Sequence, residues 1–557
     1  SIIDAPRLAN TARFFEDRKK WHLAQRLYAK GVDSAQAVET APLMNMGAYY
    51  ARRGDRGMAL TIMQDALARK AKDPAILAGI ARVHLVGGDK QAAEAAIDAA
   101  LEANPEHPDA NQLKGEILFA RNAYAKAIRQ FDLTISRDPE NYRAYYYKAL
   151  CLKAGGSDIQ PEVDLYRAAA GFHDDAEKWV QHLIEENLSK TLELKPDMLR
   201  AKLMLADVYL RNGLKYDARE QIDSALAQSP GRMETLTLLG SLKLMDGDLA
   251  GAEALCKKVL ATHPDLGSWH SRLGIVYMRK GRREEAIAAF RTALDLNPER
   301  FTPLKLLTDA HLQEKEFNAA IKVAALHKKR IKNNRFGVAN IDNLQGTIYM
   351  AWKKQAQARR HFEAAIAGAP NFMAPRLGLA AVHLRENDID GAISIYKDIL
   401  TINKSNLTAW TTYMALADIH YRRGDKKQAQ VYYRNALDIR PDFGPAANNL
   451  AYLLSSRDDK LQEALDLARL ANMKMPNDST VKDTLGWIYY RTGQYVNAAA
   501  ELDLSLKINP DSATTNYHMG LVYYRQGRFA DARSFFSKAL QIDANFEGAE
   551  EARSFLD

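Results

Sequence analysis

Small residues return along this chain at a fixed spacing, with larger apolar residues filling the intervals between them. A glycine or alanine is followed twelve residues later by alanine, and seven residues further on by alanine again. Gly47/Ala59/Ala66, Ala206/Ala218/Ala225, Gly274/Ala286/Ala293 and Gly520/Ala532/Ala539 carry the pattern. Pro196, Pro230, Pro264 and Pro298 lie 34 residues apart. Such a period predicts an array of helix pairs, each unit burying its apolar face only against its neighbours. With the first small residue numbered position 8, the next two fall at 20 and 27 and the proline at 32. Helix A then covers roughly positions 2–14 and helix B roughly 18–31. The small positions mark where paired backbones come closest, and Phe131, Phe290, Phe362, Tyr396, Tyr433 and Phe536 fill the space between at position 24.

Position 15 supports the same division. It holds Gly54, Gly88, Gly213, Gly247, Gly281, Gly424, Gly493 and Gly527, with Asn122 and Asn387 in two further units. Glycine or asparagine just past a helix end supplies the left-handed residue that stops helix A. Proline at 32 then keeps helix B from running into the next unit.

Trp or Leu, then Leu-Gly and Tyr, followed by Ala, Phe, Ala and Pro at these offsets, resembles the tetratricopeptide repeat, most closely over Asp483–Pro510. The resemblance covers nearly the whole chain. It implies an all-α, right-handed superhelical solenoid of about fifteen helix-turn-helix units, the first degenerate, with a capping helix near Glu547–Phe555. Breaks in the period divide the array into N-terminal units (1–154), an insertion in the fifth unit (155–178), central units (179–327), a basic connecting segment (328–343) and C-terminal units with the cap (344–557). The insertion adds 23 residues between Pro139 and Pro196 and predicts an added helix turn around Val163–Ala170. Four extra residues fall near the basic segment and three near Thr408–Met414. Insertions in solenoids gather on one face, so these are candidate contact sites.

Composition narrows the function classes. The formal charge is +8, and Lys322, Lys328, Lys329, Arg330, Lys332 and Arg335 form one stretch without an acid. The rest is nearly balanced, so a nucleic-acid footprint along the array is not expected. No apolar run reaches the roughly 18–20 residues of a membrane span, and Ser1 to Asn10 lack a basic-then-apolar signal pattern. Cys151 and Cys256 lie in apolar helical patterns and are expected to be buried thiols. No phosphate loop, His-Glu-x-x-His or paired Cys-x-x-Cys occurs. His84, His311, His383 and His420 share position 11 with tyrosines of other units, which points to packing. His173, Asp174, Asp175 and His182 in the insertion have no metal-specific spacing. No catalytic residue, metal or cofactor is expected, and the chain reads as a non-enzyme.

Recognition remains. The resemblance implies that helix A lines a concave groove, with positions 2, 5, 6, 9, 12 and 13 facing it. Position 13 is Arg52, Arg211, Arg279, Arg385, Arg422, Arg491 and Arg525; Tyr421, Tyr490 and Tyr524 precede the arginine in three units. Arginine and tyrosine are favoured in binding hot spots. With Asn448, Asn449, Asn516 and His518 they form the candidate groove surface, suited to acidic or extended peptides or to polar sugars. The family's carboxylate clamp for chaperone C-termini is not expected: Asn45 and Asn449 occupy position 6, but position 5 before Asn449 is Met414. The leading expectation is a protein–protein interaction scaffold. Asn448–Leu454 and Asp483–Tyr490 also resemble long bacterial tetratricopeptide proteins of exopolysaccharide and exosortase (PEP-CTERM) systems, which implies the periplasm or envelope. The alternatives are the substrate-selecting arm of an enzyme such as a glycosyltransferase, and a direct binder of anionic polysaccharide.

Overall fold

The computed structural model describes residues 5–36, 39–170, 176–402 and 409–556. Among them every regular element is helical: 32 α-helices and two short 3-10 turns, with no strand. Two compact units form, Ser1–Asp248 and Leu249–Asp557. This division falls neither at the insertion nor at the basic segment. The first unit stacks six antiparallel helix pairs, followed by helix Met233–Asp246. The second begins with helix Leu249–Thr262, continues through eight pairs and ends with the short helix Ala549–Ser554.

The spacing of each pair is set where position 8 meets position 24. A Cβ on Gly115 would stand 2.6 Å from the ring of Phe131, and one on Gly346 2.6 Å from Phe362. Gly274 and Gly520 are equally closed by Phe290 and Phe536. Where Tyr396 and Tyr433 occupy position 24, position 8 is Ala380 and Ala417, both fully buried. Interiors packed to crystal-like density transmit such a clash into the backbone.

Turns are closed by three recurring contacts. At position 15 every glycine read from the sequence has positive φ, as do Asn122 and Asn387 at 59° each. Lys19, Lys315 and Lys353 take the same left-handed conformation in three other units, although lysine adopts it reluctantly. At position 16, Asp55, Asp89, Asp388 and Asp425 accept the third backbone N–H of helix B as N-caps. At position 4, Asn111, His270 and Asn516 donate to the carbonyls of Pro105, Pro264 and Pro510, fastening helix A to the end of the preceding unit.

The position-11 histidines pack as expected and also bond across the turn. His383 Nδ1 lies 2.6 Å from Asp388, His311 2.7 Å from Glu316 and His420 3.2 Å from Asp425. Arg359 approaches the other nitrogen of His383 at 3.1 Å, so this ring is held from both sides. Cys151 and Cys256 are fully buried free thiols, and burial pushes them up to about 12 and about 11, which leaves them unreactive.

The insertion contains a complete helix, Gln160–Ala170. Helix Tyr142–Ala154 pairs past it, with Ala176–Leu194. The inserted helix lies on the B helix of the preceding unit, Tyr124–Arg137: Arg129 pairs with Glu162 at 2.7 Å, Tyr166 donates to Asp132, and Ile159 and Val163 share a buried cluster with Cys151. His173, Asp174 and Asp175 lie outside the described residues, and His182 stacks against Trp179 with centroids 5.1 Å apart. Among the described residues no group of three or more His, Cys, Asp or Glu is arranged to hold a metal ion. Of the stretch Thr408–Met414, residue 408 lies outside the described residues and 409–414 open the helix Ala409–Arg422.

The basic segment is mostly helix. Phe317–Arg330 and Arg335–Ala351 leave only 331–334 between them, and the surplus residues lengthen the second helix by a turn. Lys328 bonds the buried Asp342 at 2.6 Å, Arg330 pairs with Asp295 at 2.6 Å, and Arg335 donates to the Ala367 carbonyl. Half of the run is therefore spent on contacts between helices. No described helix is long and apolar enough to cross a membrane.

The Gly115–Phe131 contact makes the packing rule testable. Gly115→Ala is expected to lower unfolding free energy by about 1–3 kcal/mol, the usual cost of overpacking a core. In a double-mutant cycle with Phe131→Leu, chemical denaturation should return a favourable coupling of about 1 kcal/mol or more. Strict additivity would show that the two positions do not compete for space.

Candidate functional site

Position 13 ends helix A, where the last carbonyls have no intrahelical donor. The arginines there reach back to position 12 of the preceding A helix. Arg52 holds Glu16 through two bonds of 2.8 Å, and Arg385 donates to the Met350 carbonyl at 3.0 Å. Arg491 donates to the Ser455 carbonyl at 2.6 Å and to Asp458 at 2.7 Å, while Arg525 Nε lies 3.5 Å from the Tyr490 hydroxyl. A cation at a helix C-terminus also meets the negative end of the dipole. Arg211 pairs with Asp207 of its own helix at 3.2 Å, and Arg279 is engaged as well. The arginine ladder is thus largely a set of stitches between repeats. Arg422 differs: it is exposed, and it makes no ion pair or hydrogen bond among the described residues.

Other candidates also serve packing. Asn516 is fully buried and spends its amide hydrogens on Pro510 and Ser512, so it locks a turn and offers no groove surface. His518 is buried, stacked on Trp487 with centroids 4.4 Å apart, and bonded to Asp483 at 2.9 Å. Tyr490 also stacks on Trp487, with centroids 5.3 Å apart. Tyr524 lies against Phe555, beside the final helix, at 4.6 Å.

Tyr421, Arg422, Asn448 and Asn449 come together in a groove of about 550 Å³ in the second unit. Its walls are the A helices Ala409–Arg422, Gly444–Leu454 and Ser479–Arg491 and the start of Ala513–Arg525. Tyr433 and Tyr452 join them, with Asp418, Asp483 and the hydroxyls of Ser479, Thr480, Thr484, Ser512, Thr514 and Thr515.

A directed chain of hydrogen bonds runs into this groove. The carboxylate of Asp418 can only accept, so the Tyr433 hydroxyl donates to it at 2.7 Å. The phenol oxygen then accepts from Asn449 Nδ2 at 3.2 Å, and Asn449 Oδ1 accepts from Asn448 Nδ2 at 3.3 Å. Both amides are thereby oriented, and Asn448 Oδ1 ends the chain buried and without a hydrogen-bond partner. An unpaired buried acceptor is costly. Burial first, and Asp418 second, raise the Tyr433 phenol well above its usual range. Tyr452 is pushed up to about 12, mainly by burial and then by Glu547, Tyr421 and Asp483. Both phenols stay neutral donors at ordinary pH.

Sequence reasoning missed Asp418, Tyr433, Tyr452 and Asp483. Three of them occupy positions 9 and 5, within the expected groove set, but the recurrence of arginine at 13 drew attention elsewhere. Tyr433 occupies the core slot at position 24, and only its hydroxyl reaches the groove.

The two kinds of position-13 arginine separate in one measurement. Arg491→Ala should lower unfolding free energy by about 1–3 kcal/mol, because it frees a capped carbonyl and a carboxylate. Arg422→Ala should stay within about 0.5 kcal/mol. Equal losses in urea denaturation would contradict the division.

Comparison with known proteins agrees with the repeat architecture. Models described as tetratricopeptide repeat match residues 44–108, 79–135, 165–232, 203–266, 345–406, 268–300, 513–546 and 411–443, and one described as TPR repeat matches 486–527. A TPR repeat-containing protein of Pseudomonas aeruginosa is 33% identical over 90 residues, 16% of this chain and 15% of the relative. DnaJ homolog subfamily C member 3 of Homo sapiens is 24% identical over 39% of this chain and 42% of its own length. Tetratricopeptide repeat protein 21B of Xenopus laevis is 21% identical over 65% of this chain and 29% of its own. The chain thus spans less than half the length of each of these curated relatives. Among solved structures, YrrB, a TPR protein with an unusual peptide-binding site, aligns at TM-score 0.30 and 20% identity, over 35% of this chain and 97% of that one. The pilF protein of Pseudomonas aeruginosa aligns at 0.33 and 16% identity, over 40% and 92%. With repeat matches over well more than half of its residues, the chain belongs to the tetratricopeptide repeat family.

Proposed function

We propose that this chain is a non-enzymatic scaffold whose C-terminal groove holds an extended segment of a partner protein. The observation that carries the reading is the groove itself, where Asp418, Asp483, Asn448 and a row of hydroxyls set hydrogen-bonding groups beside Tyr421 and Tyr452. A peptide backbone supplies an N–H at every residue but proline, and an extended one presents them at regular intervals. Tyr421 and Tyr452 add rigid amphipathic area at the rim, a property that favours protein recognition. The position-11 histidines and most position-13 arginines are held by intramolecular contacts.

Capture of partners from the native source tests the reading. Asn448→Ala combined with Tyr452→Ala is expected to reduce the recovered partner at least about tenfold, the scale of a lost hot spot. Val431→Asp and Val496→Asp, on exposed faces of B helices, should leave recovery unchanged. The reverse pattern would move the binding face to the B helices.

A further inference from the structure

The chain as a whole is basic, yet the groove is rich in acceptors. Asp418 and Asp483 line it, and Arg422 is the one cation among its lining residues. A third carboxylate, Glu547, is exposed in the segment just before the final helix and acts electrostatically on Tyr421 and on Tyr452, which belong to two successive A helices. On the lining itself the two carboxylates outnumber the single cation.

The neutral groups point the same way. Asn448 lines the groove with its amide nitrogen committed to Asn449 Oδ1, so the donor side of this amide is spent within the chain. An acidic segment entering the groove would gain Arg422 but meet Asp418 and Asp483, with Glu547 nearby. A lysine or arginine would give N–H donors to those carboxylates, lay its methylene stem along Tyr421 or Tyr452, and set its charge near a ring face. The net charge of +8 does not override this, because ions screen distant charges beyond about 8 Å at physiological salt.

We infer that the groove formed by Tyr421, Asn448, Tyr452, Asp418 and Asp483, with Glu547 nearby, selects an extended protein segment bearing lysine or arginine. This rests on the groove being the binding face, and it reverses the ligand charge that a ladder of arginines suggests.

Two fluorescein-labelled dodecapeptides test it, identical in a Gly/Ser background except for four lysines in one and four glutamates in the other. Fluorescence anisotropy near physiological salt should give at least about tenfold tighter binding of the lysine peptide. Glu547→Gln, at an exposed position, should weaken that binding several-fold. Asp483→Asn should do the same, with thermal unfolding checking that its bond to His518 is not needed for folding. Arg422→Gln should leave lysine-peptide binding unweakened. Equal or tighter binding of the glutamate peptide overturns the inference, as does lysine-peptide binding indifferent to Glu547→Gln. If native partner capture still depends on Asn448 and Tyr452 while the two peptides bind alike, the charge selectivity falls and the groove reading stands. If capture is independent of both residues, the groove reading itself falls.

Discussion

A phenyl ring resting on a backbone that has no side chain governs the helix pairs of this protein. Phe131, Phe290, Phe362 and Phe536 fit only because position 8 in the same unit is glycine, and a single added carbon would overlap the ring. Where position 24 is tyrosine, alanine is accommodated at position 8, as in Ala380 with Tyr396 and Ala417 with Tyr433. The residues at positions 8 and 24 are therefore set together. Because each unit buries its apolar face only against neighbours, an error in one pair is passed along the stack.

That constraint also produces the candidate site. Tyr433 is a core residue by position, with its ring 1% exposed, but its hydroxyl extends toward Asp418 on the A helix. From there the hydrogen bonds pass through Asn449 to Asn448 and end on an unpaired acceptor. Without this hydroxyl, Asn449 Nδ2 would lose its acceptor and the pair of amides its link to Asp418. One hydroxyl in a packing slot thus links the stability of the repeat to the chemistry of the groove.

Much of the fold was legible because repetition averages out local ambiguity. The period placed the helices, the glycines at position 15 ended them with positive φ, and the two cysteines are buried as expected. Lys19, Lys315 and Lys353 were not legible as left-handed residues, since nothing in a lysine signals it and the surrounding turn imposes it. The candidate site was legible only in part. Tyr421, Arg422, Asn448 and Asn449 meet in the groove, while Arg491, Asn516 and His518 are held in contacts between neighbouring segments. A recurring arginine fits a ligand ladder and a stitch between helices equally well, and only the distance to the preceding carbonyl separates them. The insertion was legible as an added helical element near Val163–Ala170, and the structure seats that helix on the B helix Tyr124–Arg137.

The most direct test of the account places photoreactive benzoylphenylalanine at Tyr452 in the groove or at Val431 on the outer helix, then maps cross-links to the captured partner by mass spectrometry. The account expects adducts from Tyr452, joined to one short partner segment, and none from Val431. Adducts from Val431 with none from Tyr452 would contradict it.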